Sequence, residues 1–149
     1  MGLDISSKSG LSFHIGYGGF FFMRAECVNQ IMPGIGNLYV WSVGSSCLLG
    51  IARNKDYEPD FPCPAKTEEF ANACGNALGE FLHARKFDAL ARHLLCHSDC
   101  DGKLTAPQCR RLARDLDRIT PGPTWGTKFE EFRKIVHEAA DRNETLFFG

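Results

Sequence analysis

Apolar and polar positions alternate over residues 3–7 and again over 11–15, with Leu3 and Ile5 in the first run and Leu11, Phe13 and Ile15 in the second. A period of two puts successive side chains on opposite faces, so both runs predict short strands. Ser7-Lys8-Ser9-Gly10 between them is turn chemistry, and the pair predicts a β-hairpin. Gly16-Tyr17-Gly18-Gly19 then breaks the alternation. From Phe20 to Ile31 the period lengthens: Phe20, Met23, Cys27 and Ile31 recur at steps of three and four, which predicts a helix that Pro33-Gly34 closes. Leu38 to Ile51 is apolar and rich in small residues, and fits either a strand or a buried irregular segment. Residues 54–66 carry Pro59, Pro62 and Pro64 and predict a loop.

The second half is helical in pattern. Phe70, Cys74, Ala77, Leu78 and Phe81 share one face, with Thr67 placed to cap the first turn. Phe87, Leu90, Ala91, Leu94 and Leu95 form a second stripe that runs into His97. Thr105-Ala106-Pro107-Gln108 carries the residues of a capping box with proline in the first turn, and Cys109, Leu112, Ala113 and Leu116 follow as its buried stripe. Pro121-Gly122-Pro123 ends that region. Phe129, Phe132, Val136 and Ala139 predict a last helix, and Thr145 to Phe148 a short tail able to return as a strand beside residues 3–7. Strands at both ends with helices between predict an α+β fold, with a helix-rich second half and a short sheet.

Composition adds compartment and partner class. The chain has 149 residues, 44% of them hydrophobic and 23% charged, which suits one domain over residues 1–149. A net charge of -1 supplies no global attraction to nucleic acid or anionic lipid. Seven cysteines, at 27, 47, 63, 74, 96, 100 and 109, are an odd number, and several lie on apolar helical faces. That distribution predicts free thiols in a reducing cytoplasm. No apolar run approaches the ~20 residues of a membrane span, and the N-terminus lacks a basic region followed by an apolar core. Gly2 to Ser6 formally fits a myristoylation pattern, but Leu3 and Ile5 are better read as strand residues.

The densest chemistry lies in His97-Ser98-Asp99-Cys100-Asp101-Gly102: an imidazole, two carboxylates, a hydroxyl and a thiol just before a capped helix. The plain reading is a loop shaped by the Asp101-Gly102 turn. Three chemical readings stand beside it. Asp99, Asp101, Gly102 and Leu104 match positions 3, 5, 6 and 8 of a calcium-binding EF-hand loop, but His97 and Gln108 stand where carboxylates are needed. His93, Cys96, His97 and Cys100 have zinc-ligand chemistry in a spacing that is no known zinc signature. His97 beside Asp99 or Asp101 is also a base-and-carboxylate arrangement suited to catalysis or to binding a phosphate or hydroxyl. No metal and no cofactor is assigned.

A second candidate is His14-Ile15-Gly16-Tyr17-Gly18-Gly19 with Arg24. Glycines ahead of a helix let backbone N–H groups approach an anion, and an arginine can clamp phosphate with two parallel hydrogen bonds. The segment is neither a dinucleotide fingerprint nor a Walker loop, and a simple strand-to-helix turn is its plain reading. Arg110, Arg111, Arg114 and Arg118 interleave with Asp115 and Asp117, which reads as a solvated face of mixed ion pairs. Without interleaved aromatics it does not predict a nucleic-acid partner. Trp41 and Trp125, with Phe61 in a loop, could line a pocket, but core packing is the expectation for them.

Two pieces carry a resemblance. Met1-Gly2-Leu3-Asp4-Ile5-Ser6, followed by Gly16-Tyr17-Gly18-Gly19-Phe20 and Arg24, resembles the opening of small phage and prophage proteins. His97-Ser98-Asp99-Cys100-Asp101-Gly102 with Cys109 in the next helix resembles a motif of small bacterial and phage proteins. The resemblance implies a phage-related origin and no particular activity. Small phage proteins often counter host defences, and by analogy such a role is the expectation here.

The resulting expectation is a cytoplasmic α+β protein that binds an anionic, nucleotide-like small molecule, sequestering it without turnover. The expected ligand-binding residues are His14, Tyr17, Gly18, Gly19, Arg24, His97, Ser98, Asp99 and Asp101. The enzymatic alternative is a hydrolase or phosphodiesterase using His97 with Asp99 or Asp101. A third alternative is a module that inhibits a host protein; an oligomer is left open.

Overall fold

A computed structural model describes residues 2–42, 61–97 and 102–149. The fold is α+β. Strands β1 (Gly2–Ser6) and β2 (Ser12–Gly16) lead into helices α1 (Tyr17–Ile31) and α2 (Ile35–Ser42). Helices α3 (Glu68–His83) and α4 (Ala89–Cys96) follow, then β3 (Lys103–Leu104), α5 (Ala106–Leu116), α6 (Gly126–Asp141) and β4 (Leu146–Phe148). The chain divides into two compact units, residues 1–23 with 96–149, and residues 24–95.

The first unit is built on an antiparallel sheet of order β2-β1-β4-β3. The predicted hairpin forms, with Leu3 opposite Ile15 and Ile5 opposite Phe13. Its turn closes through Ser7 N–H to Leu11 O (3.0 Å) and Gly10 N–H to Ser7 O (3.2 Å). Gly10 takes φ +96°, a left-handed conformation that a side chain would strain. The tail returns as expected: Ile5 pairs with Phe148 and Ser6 with Phe147. Alternation sends Leu3, Ile5, Phe13, Ile15, Leu146 and Phe148 to one buried face. There they meet α1 and α6, where Phe132 lies 5.7 Å from Phe13 and 5.8 Å from Phe20, ring centre to ring centre. Asp4, Ser6, Ser12, His14 and Phe147 occupy the opposite, exposed face.

Helix α5 opens with the predicted capping box. Thr105 N–H donates to Gln108 Oε1 (2.8 Å), and proline stands in the first turn. Cys109, Leu112, Ala113 and Leu116 are all buried and pack toward α6. Helix α6 stops in a Schellman motif. Glu144 N–H reaches Ala139 O (2.9 Å), Asn143 N–H reaches Ala140 O (3.2 Å), and Asn143 adopts φ +55°.

The second unit packs the remainder of α1 with α2, α3 and α4. Gly34, at φ +85°, turns the chain straight from α1 into α2. Gly36 lets the two helices touch, because a methyl group there would strike the Ala25 carbonyl and the Asn29 side chain. The Thr67 hydroxyl accepts from Phe70 N–H (3.2 Å), as the sequence predicts.

Four expectations need correction. Residues 35–42 are helical rather than strand or irregular, because Ile35 and Val40 bury against neighbouring helices; residues 43–51 of that segment lie outside the described residues, as do 54–60 of the expected loop. The alternation ends at Gly16 as expected, but α1 begins at Tyr17 rather than Phe20, so Tyr17, Gly18 and Gly19 belong to the helix. The buried stripe of α3 is Ala71, Cys74 and Leu78, which leaves Phe81 to one side and 45% exposed. Phe87 is buried but precedes α4. Of the rings expected in the core, Phe61 is fully buried, while Trp41 and Trp125 are half-buried.

Candidate functional site

His14 stands on the exposed face of the sheet, directly across from Asp4, with Nδ1 2.7 Å from Asp4 Oδ1. An oriented imidazole of this kind can accept a proton. The side chains are 68% and 69% exposed, so nothing excludes water from the pair. An exposed pair of this type contributes about 0–1 kcal/mol.

Tyr17, Gly18 and Gly19 form the first turn of α1. Gly19 is a packing residue: a Cβ there would lie 3.1 Å from Ile15 Cγ1 and 3.2 Å from Trp125. Gly18 has open space around it. Arg24 is buried within the second unit, at 4% exposure. One Nη donates to Leu94 O (3.2 Å), the other to the Tyr39 hydroxyl (3.1 Å), and its guanidinium carbon lies 5.8 Å from the centre of the Tyr39 ring. Its positive charge thus sits at the C-terminal end of α4, where helix carbonyls lack intrahelical partners. These contacts make Arg24 a structural tie within the second unit.

His97 follows the end of α4. Its ring centre lies 4.5 Å from that of Phe148, and Nε2 is 3.5 Å from Lys103 O. Phe148 points to the buried face of the sheet, so His97 and His14 stand on opposite sides of it and do not converge. Ser98, Asp99, Cys100 and Asp101 lie outside the described residues. For the calcium reading, α4, β3 and α5 follow one another in chain order, but Asp99 and Asp101 lie outside the described residues. Gln108, at the closing ligand position, is instead engaged by Thr105 in the capping box. For the zinc reading, no group of three or more His, Cys, Asp or Glu side chains among the described residues is placed to hold a metal.

The arrangement that does gather like chemistry is one the sequence reading set aside. Arg110, Arg111 and Arg114 line a surface groove of about 570 Å³ between α5 and α6, faced by His137 and Asp141. The arginines fall at helical steps of one, three and four, so they share the outer face while Cys109, Leu112, Ala113 and Leu116 face inward. Small side chains, Ala113 and Ala140, leave room between the helices. The expected ion pairs with Asp115 and Asp117 do not form at Arg111 or Arg114. Among the described residues these two make no ion pair or hydrogen bond, and Asp117 is taken by His137 Nε2 (2.9 Å). Arg110 donates to Asn143 Oδ1 (2.9 Å), a neutral acceptor, which steadies the guanidinium without cancelling its charge. The signal in the sequence was the spacing of the arginines at 110, 111 and 114; Asp115, four residues after Arg111, and Asp117, three after Arg114, also stand at neighbour spacing, but neither lines the groove.

Two smaller surface grooves differ in character. One, of about 290 Å³ beside β2 and α6, mixes Glu131 and Glu138 with Lys134 and His14. The other, of about 240 Å³, includes Lys8, Glu144 and Phe147. Neither concentrates one sign of charge.

Buried thiols are chemically quiet. Burial pushes Cys27 far above the ordinary thiol range; Cys74 and Cys109 are raised in the same direction by the same cause. The five described cysteines, 27, 63, 74, 96 and 109, are all free, and Cys96 is exposed. No helix among the described residues is long and apolar enough to cross a membrane. Comparison of the chain with protein-family models, curated proteins and solved structures gave no match.

Proposed function

We propose that this protein binds an anionic, phosphate-bearing small molecule of nucleotide type, without turnover, and that the α5–α6 groove is the binding surface. One observation carries the reading: Arg111 and Arg114 present guanidinium groups to the groove with no acidic partner among the described residues. Guanidinium forks match phosphate oxygens in geometry and charge, and hydrogen bonds between charged groups are the stronger kind. The net charge of -1 makes this a local feature rather than a property of the whole surface. The resemblance to phage proteins supports a role in sequestering a signalling molecule of the host, in the host cytoplasm. The hydrolase alternative rests on His97 with Asp99 or Asp101, of which only His97 is among the described residues, and the interaction-module alternative on no particular described residue.

Native mass spectrometry of the freshly purified protein tests the reading. The expected result is a mass surplus of a small molecule that disappears on denaturation and is absent from the Arg111→Gln/Arg114→Gln double variant. A bare protein mass, together with no uptake of any nucleotide from an added panel, contradicts it. Release of a chemically altered nucleotide favours the hydrolase instead.

A further inference from the structure

The lining of the α5–α6 groove holds cations and small side chains but no Phe, Tyr or Trp ring. Its single imidazole, His137, is held through Nε2 by Asp117. Proteins that read a base do so by stacking it on an aromatic face or by matching its edge with paired donors and acceptors. Three neighbouring guanidiniums offer donors only. Arg110 and Arg114 are one helical turn apart, about 6 Å along the axis, with Arg111 between them. That row suits successive phosphates of a chain better than one compact anion. Resting on the anion-binding reading above, we infer that the groove recognises linked phosphates themselves, as in a triphosphate or inorganic polyphosphate, and is indifferent to the base. Asp141, on the α6 side, is the one carboxylate in the lining and opposes any anion there.

Calorimetric titration of the whole protein at low salt separates this inference from the broader reading. The probes are sodium tripolyphosphate, ATP, GTP, AMP, adenosine and a dT hexamer. Tripolyphosphate, ATP and GTP are expected to bind within about threefold of one another, AMP at least about tenfold more weakly, and adenosine not at all. Arg111→Gln/Arg114→Gln is expected to lose about tenfold or more in tripolyphosphate affinity, and Asp141→Asn to gain affinity. These side chains are on exposed or groove-lining positions, so circular dichroism of the variants should match the parent. A preference of more than about tenfold between ATP and GTP overturns base indifference and leaves anion binding standing. Silent tripolyphosphate beside a tightly bound dT hexamer or nucleotide overturns it likewise. Unchanged affinity in the double arginine variant overturns the assignment to this groove. If no probe binds, the inference and the reading beneath it fail together.

Discussion

Arg24 and Arg111 are the same side chain put to opposite uses. Arg24 is buried and joins Leu94 O to the Tyr39 hydroxyl, whereas Arg111 is exposed over a groove and makes no ion pair or hydrogen bond among the described residues. A sequence shows both as arginines near helix-forming segments; only burial and partners distinguish them. Removing Arg24 leaves a buried carbonyl without its donor, so Arg24→Ala is expected to destabilise the fold by about 1–3 kcal/mol, measured by urea unfolding. Unchanged stability would contradict the structural role. The cysteines give a second residue-level prediction. Cys27 has a thiol pKa raised above its ordinary 9.0 by burial. Its contribution to stability is therefore complete below pH ~9, where the unfolded chain also keeps the proton, and is lost as pH rises. Cys74 and Cys109 act in the same sense. Thermal unfolding followed from pH 7 to pH 10.5 is expected to show a decline above about pH 9, shallower in Cys27→Ala. A Tm equally steep in both proteins would remove Cys27 from that account. In the folded state, Cys96 is expected to react with a thiol reagent ahead of Cys27 and Cys109.

At the scale of elements, local chemistry decides ends and close approaches. Thr67 caps α3 through Phe70 N–H, and Thr67→Ala is expected to cost about 1 kcal/mol. Gly36 sits where a methyl would meet the Ala25 carbonyl, so Gly36→Ala is expected to cost about 1–3 kcal/mol despite alanine's better helix propensity. A neutral or stabilising result in chemical unfolding would mean that α1 and α2 separate easily. Phe132 joins Phe13 and Phe20 beneath the sheet, and Phe132→Ala is expected to cost about 3–5 kcal/mol. The hairpin, the capping box and the returning tail were legible in sequence because each is written in neighbouring residues: alternation, Thr105 with Gln108, and an apolar Leu146-Phe147-Phe148 run. Helix α2 was not, because a short apolar segment has the same look in a strand and in a buried helix. Strand β3 is two residues long and exists only by pairing with β4, which no local signal announces. The groove was half legible: the arginine spacing gave the face, but Asp115 and Asp117 stand at ion-pair spacing from Arg111 and Arg114, and only the folded chain shows that Asp117 turns to His137 and that neither aspartate lines the groove.

At the scale of the molecule, a nearly neutral chain carries a concentrated positive feature among its described residues, within the unit that holds the sheet. Local concentration of charge matters for binding because fields between exposed groups fade within about 10 Å at ordinary salt. Affinity for a phosphate ligand is accordingly expected to fall as sodium chloride is raised, while stability changes little. The most direct test of the central claim is amide chemical-shift mapping by NMR during titration with tripolyphosphate. The account predicts saturable shifts concentrated at residues 107–114 and 137–141, abolished in Arg111→Gln/Arg114→Gln. Shifts centred on residues 14–19 and 97–101 instead, or no shifts at any ligand concentration, would contradict it.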